Sequence, residues 1–180
     1  MQTVSVFDIA TKTWFNQSTT AQGEEAFYDK GSMGNYPPDR VDFCSVVVSA
    51  EDNSSHNIYI YGGRDWGSFI LTDVYILTLP AFHWISVYPP SNATGYGRAR
   101  AGHRCQIVYE KHMVAFRGSG EVPGVLSTSQ FEDFCDYNNT EIFQGMAIYD
   151  MSSLEWTTKV ELENQKYFVP RKLYEIIGGK

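Results

Sequence analysis

Apolar and polar residues alternate with period two through short runs bounded by turn residues, the pattern of half-buried β-strands. The run Asn57-Ile58-Tyr59-Ile60-Tyr61 is β-branched and aromatic and stops at Gly62-Gly63. There the backbone must take a positive φ or pass close to a neighbour, which a Cβ would forbid. Asp73-Val74-Tyr75-Ile76-Leu77 begins another strand, and Trp84 opens the next after the turn Pro80-Ala81-Phe82-His83.

The same device opens the chain. Val4 to Ile9 reads as a strand, Ala10-Thr11-Lys12-Thr13 as a turn, and Trp14 as the start of the following strand. It returns as Met146 to Asp150, turn Met151 to Glu155, and Trp156, so the three tryptophans stand 70 and 72 residues apart. Between them an Arg sits three residues before an aromatic or His at a strand entry: Arg40 with Phe43, Arg100 with His103, Arg171 with Tyr174. Gly62-Gly63 is matched weakly by Arg117-Gly118-Ser119-Gly120 and again by Gly178-Gly179. A recurring order at near-constant period is a structural repeat.

Each unit carries about four short strands, which is one propeller blade. The reading is all-β, a partial propeller of about two complete four-stranded blades plus parts of flanking ones. Residues 1–35 end one blade and add a loop insertion from Gln17 to Asn35; residues 36–96 form a blade. Residues 97–166 form another, carrying an insertion over 121–141, and residues 167–180 give a strand of a further blade. Asp8 and Asp150 hold equivalent places six residues before their tryptophans, where a short acceptor side chain can bond backbone N–H groups of the turn.

The phrases FDIATKTW, PPDRVDFCSVVV, NIYIYGG, DVYILTLPAFHW, GHRCQIV, IYDMSSLEW and YFVPRKLYEIIGG resemble the fungal kelch-repeat, galactose oxidase-like β-propellers over nearly the whole chain. The resemblance implies that the remaining blades lie N-terminal, that 167–180 is the last propeller strand, and that the protein is secreted or held at the cell surface.

Composition narrows the function. The chain has 180 residues, 43% hydrophobic and 15% aromatic, ample for sheet packing. Its formal charge of −7 and lack of basic runs make it a poor electrostatic match for nucleic acid or an anionic membrane. No apolar run reaches the roughly 20 residues of a membrane-spanning helix.

The copper-radical chemistry of galactose oxidase needs two His and two Tyr on copper, with a Cys joined to one Tyr. His56, His83, His103 and His112 show no pairing at ligand spacing, so the expectation is no metal, no cofactor and no catalysis. No nucleophile signature is present, and Gly118-Ser119-Gly120 is too short for a phosphate loop. Glu132, Asp133 and Asp136 offer a loop calcium site or, more simply, a solvated acidic loop. The binding candidate is Arg64-Asp65-Trp66-Gly67-Ser68-Phe69, two aromatics and an Arg outside any strand pattern. Packing of Trp66 and Phe69 against a neighbouring blade is the competing role.

Asn16, Asn53, Asn92 and Asn138 begin Asn-x-Ser/Thr sequons, all in or beside loops, and favour the secretory route. Of three cysteines, Cys105 and Cys135 could bridge across the insertion, leaving Cys44 as a buried thiol; three reduced thiols in a cytosolic scaffold is the alternative. The expectation is a non-catalytic kelch module binding protein or glycan. The alternatives are an intracellular scaffold of the cell-polarity or ubiquitin-ligase adaptor type, and an oxidase remnant.

Overall fold

A computed structural model describes residues 1–23, 26–28, 31–33, 36–67, 69–87, 99–121, 131–133, 145–160, 162–163 and 166–178. Strands β1 (Thr3–Asp8) and β2 (Thr13–Ser18) form an antiparallel hairpin, Phe7 opposite Trp14. The central blade holds β6 (Cys44–Ser49), β7 (His56–Tyr61), β8 (Val74–Leu79) and β9 (His83–Val87), each antiparallel to the next. The following blade repeats this with β10 (Arg104–Val108), β11 (His112–Phe116), β14 (Met146–Asp150) and β15 (Glu155–Thr157).

The tryptophan register aligns the three units: Phe7 faces Trp14, Leu77 faces Trp84, and Tyr149 faces Trp156. The hairpin β1–β2 therefore corresponds to the outer strand pairs β8–β9 and β14–β15. Lys12, Phe82 and Leu154, each two residues before its tryptophan, all take positive φ (57°, 50° and 61°). Asp8 Oδ1 accepts from the N–H of Ala10 and Thr11, and Asp150 Oδ1 from Ser152 and Ser153, so both carboxylates bind their turns as the sequence implied.

The stretch from Gln17 to Asn35 is more than a loop insertion. Its residues Thr20–Gly23 form β3, which pairs parallel with β9 and extends the central sheet to five strands in the order β3-β9-β8-β7-β6. A hairpin of β4 (Ala26–Tyr28) and β5 (Gly31–Met33) follows. At the start of the second insertion β12 (Ser119–Glu121) pairs with β13 (Phe131–Asp133), which lies inside it.

The C-terminal segment corrects the sequence reading. Residues 167–180 were expected as a strand, yet Arg171–Ile177 forms helix α1, with Gly178 at its C-terminal end at φ 73°. Pro170 pre-sets φ for the helix start. Leu173, Ile176 and Ile177 recur at helical spacing and pack on the core. Arg171, expected to match Arg40 and Arg100, instead bonds Glu175 one turn on at the surface. Gly179 lies outside the described residues.

Alternation places the two faces of the central sheet in different cores. Tyr59, Tyr61, Val74, Ile76 and Ile85 join Met113, Ala115, Ala147, Tyr149 and Met151 of the following blade, covered by Tyr167, Val169 and Leu173. Ile60, Tyr75, Leu77 and Trp84 face the other way, toward Met1, Val4 and Tyr36. Fully burying one such side chain contributes about 1.5–3 kcal/mol, so packing between the blades stabilises both of them.

Candidate functional site

The loop after the double glycine is braced from both sides. Gly63, at φ 93°, donates its N–H to Arg100 O of the following blade at 2.8 Å. Arg64 and Val41 exchange backbone hydrogen bonds of 2.9 Å, and Leu71 N–H returns to Gly63 O at 2.8 Å. Asp65 N–H bonds Phe69 O at 3.1 Å, while Asp65 Oδ1 accepts from Phe69 N–H at 2.9 Å. These bonds close a tight turn with Trp66 at its outer corner.

Trp66 is 86% exposed and packs against neither blade among the described residues. Phe69, Val41 and Phe43 are also exposed in part, giving an apolar surface with the Arg64–Asp42 ion pair (2.7 Å) at its edge. That pair is half in solvent and contributes roughly 0–1 kcal/mol, so it orients Arg64 more than it stabilises the fold.

Beneath this loop Arg40 is buried. Its guanidinium donates to Gly62 O at 2.9 Å and to both carboxylate oxygens of Asp73, at 2.5 and 3.0 Å. It thus ties the end of β7 to the start of β8. In the next blade Arg100 donates to Arg117 O and Gly145 O, with Gly145 standing where Asp73 stood. Sequence spacing marked both arginines but missed Asp73. Its signal was an Asp directly before an apolar strand that begins where an Arg-preceded strand must be met.

The cysteines correct a second expectation. Cys105 is joined to Cys44, with Cα atoms 5.5 Å apart, and so is not joined to Cys135, which lies outside the described residues. Neither is Cys44 a free thiol. The bond links β6 and β10, the first strands of adjacent blades, which run side by side. Local order along the chain favoured the nearer partner; ring packing brings the distant one into contact.

His103 packs edge-on against Tyr61, ring centroids 4.9 Å apart, and burial beside the Arg100 guanidinium pulls its imidazole down to about 4. Among the described residues, His103, Cys44 and Cys105 form the one group whose ligand atoms converge, within 4.8 Å. Both sulfurs are spent in the disulfide, so the group does not fit a metal ion in this state. The other histidines have their own surroundings: His56 meets Ser49, His83 meets Thr20, and His112 lies 3.7 Å from Asp150. The four histidines do not fit a copper site.

Asn16 and Asn53 are exposed, the latter at φ 56° in a turn. Asn92, Asn138, Asp136 and Gly67's neighbour Ser68 lie outside the described residues, as do the side chains of Glu132 and Asp133. Trp84 is 3% exposed and Trp156 packs on Tyr61 and Tyr149, whereas Trp14 is 70% exposed.

Repeated marks and blade geometry agree with comparison to known proteins. The chain is 32% identical over 204 aligned residues to a kelch repeat-containing protein of Arthroderma benhamiae, covering 99% of this chain. This is a stretch of kelch-repeat propeller. No family model matches. The kelch chain spans 26% of that relative's length. None of the helices among its described residues is long and apolar enough to cross a membrane.

Proposed function

We propose that this kelch chain belongs to a non-catalytic binding and structural module, which engages protein or glycan ligands through its 64–69 loop at the cell surface or in the secretory pathway. The observation that carries the reading is Trp66, exposed on a turn fixed by the backbone bonds of Arg64 and Asp65. A rigid, exposed aromatic loses little conformational freedom on binding, and its flat face suits either sugar stacking or a protein anchor. Arg64 and Asp65 add polar contacts beside it. The Cys44–Cys105 disulfide supports an oxidising compartment, and the exposed sequons Asn16 and Asn53 are compatible with it. A cytoplasmic scaffold is the competing reading, and it predicts reduced cysteines and bare sequons.

The test is Trp66→Ala in the full-length protein from a eukaryotic host, compared with wild type on a glycan array and a displayed-peptide library. Loss of the wild-type signals at unchanged melting temperature supports the site. Undiminished binding by the variant sinks it.

A further inference from the structure

The Cys44–Cys105 bond has a third side chain beside it. Successive side chains of a strand turn to opposite faces. Cys44 begins β6 and Cys105 is the second residue of β10, so each turns toward the other strand. His103 stands two residues before Cys105 and turns the same way. One ring nitrogen of His103 and the two Sγ atoms all lie within 4.8 Å of one another.

His103 is 5% exposed, and neither of its ring nitrogens makes a hydrogen bond among the described residues. The Tyr61 backbone lies near enough to favour a proton on the ring, without the alignment of a full bond. A buried imidazole without partners is destabilising. Packing alone does not demand one, because Phe43 holds the corresponding place one blade earlier: Gly63 abuts Val41 and Phe43 just as Gly118 abuts Ala101 and His103. The ring is nonetheless fixed in place. The Tyr61 ring stands 4.9 Å away, and a Cβ on Gly62 or Gly118 would meet His103 at 3.0 and 2.9 Å.

We propose that reduction of the disulfide turns this group into a site for a thiophilic divalent cation of the zinc type, held by Cys44 Sγ, Cys105 Sγ and one ring nitrogen of His103. A dithiol supplies the two electrons. The S–S bond breaks, each sulfur takes one of the dithiol's protons, and the dithiol leaves as its own disulfide. The cation then displaces both thiol protons and is held by two thiolates and a neutral imidazole. Zinc–sulfur bonds of about 2.3 Å and a zinc–nitrogen bond of about 2.0–2.1 Å put such ligand atoms roughly 3.5–3.8 Å apart at tetrahedral angles. That fits inside the 4.8 Å span of the group. The Cα atoms, 5.5 Å apart, stay in place while the sulfurs part by rotation about χ1. Cys105 is only half-buried, which gives the dithiol and the ion a way in. The first strands of adjacent blades are thus held together in either redox state, by a disulfide when oxidised and by a metal when reduced.

The test uses the protein carrying Cys135→Ser, reduced with a dithiol, freed of it without air and titrated with cobalt(II). The reduced protein should bind one more cobalt ion per chain than the oxidised protein, with sulfur-to-cobalt charge transfer in the near ultraviolet, and zinc should displace it. His103→Phe keeps both thiols and should weaken that site at least about tenfold, the loss that follows removal of even an outer hydrogen-bond partner of a metal ligand. Should reduction loosen the fold, zinc and not magnesium should restore the near-ultraviolet dichroism, and His103→Phe should need at least about tenfold more of it. A reduced protein that takes up no cobalt, or that stays unfolded with zinc present, would overturn the proposal. So would equal cobalt binding by the oxidised protein, or unchanged affinity in His103→Phe.

Discussion

Arg40 and Asp73 form a bidentate ion pair, 2.5 and 3.0 Å, with both side chains withdrawn from water. Arg40 also stands 5.3 Å from the centre of the Tyr75 ring and donates to Gly62 O. One guanidinium therefore fixes the β7 end, the β8 start and the glycine turn that carries the exposed loop. Asp73→Ala leaves a buried cation without its counter-charge and is expected to cost about 3–5 kcal/mol in urea unfolding. Replacing both, with Met at 40 and Leu at 73, is expected to cost less than the single change. A larger loss in the double variant would assign the pair a stabilising role of its own.

The disulfide gives a covalent prediction. An unreduced digest should contain the Cys44 and Cys105 peptides joined, with Cys135 in neither. The bond spans a sequence separation of 61, and on the chain-entropy account its removal costs about 4 kcal/mol. Cys105→Ser should therefore lower the urea midpoint of unfolding. A Cys105–Cys135 peptide in the digest would overturn the assignment.

Two glycines separate steric from conformational cost. Gly62 (φ 62°) and Gly102 (φ 68°) both occupy the left-handed region, but a Cβ on Gly62 would lie 2.4 Å from Arg100 O and one on Gly102 would meet nothing within 4 Å. Gly102→Ala is expected to cost about 1–2 kcal/mol, the left-handed penalty alone. Gly62→Ala must in addition push the two blades apart, so its loss should be clearly greater and appear as faster hydrogen exchange in β10. Equal losses would mean that the blades separate freely.

His103 makes stability depend on pH. Its folded value of about 4 lies below the ordinary 6.5, so the unfolded chain binds the extra proton first. Stability is complete above pH 6.5 and falls as pH drops from 6.5 toward 4, by about 3 kcal/mol for a shift of this size. His103→Phe, the residue that the preceding blade carries at this place, should flatten that slope. An unchanged acid limb in the variant would place the titration elsewhere.

Much of the blade was legible in the chain because it is local. Period-two alternation located β1, β6, β7, β8, β10 and β14, and the turn aspartates Asp8 and Asp150 act within three residues of themselves. The glycine at 63 was marked by its neighbours in sequence, and its structural need, a close approach to Val41 and Phe43, lies within its own blade. The exposed loop from Arg64 to Phe69 stood out for the same reason: its aromatics fell outside any strand pattern.

Tertiary structure decided whatever depends on a neighbour distant in sequence. Trp14, Trp84 and Trp156 hold one position in the repeat, yet Trp84 is 3% exposed and Trp14 70%. Burial of each comes from the adjoining blade, which its own segment does not encode. Cys44 finds Cys105 because first strands run together in the ring, and Thr20–Gly23 becomes a strand because the open edge of β9 satisfies its backbone. Arg171–Ile177 becomes a helix because Leu173 and its helical neighbours reach the Tyr59–Tyr167 core, and that contact outweighs a strand-like run of residues.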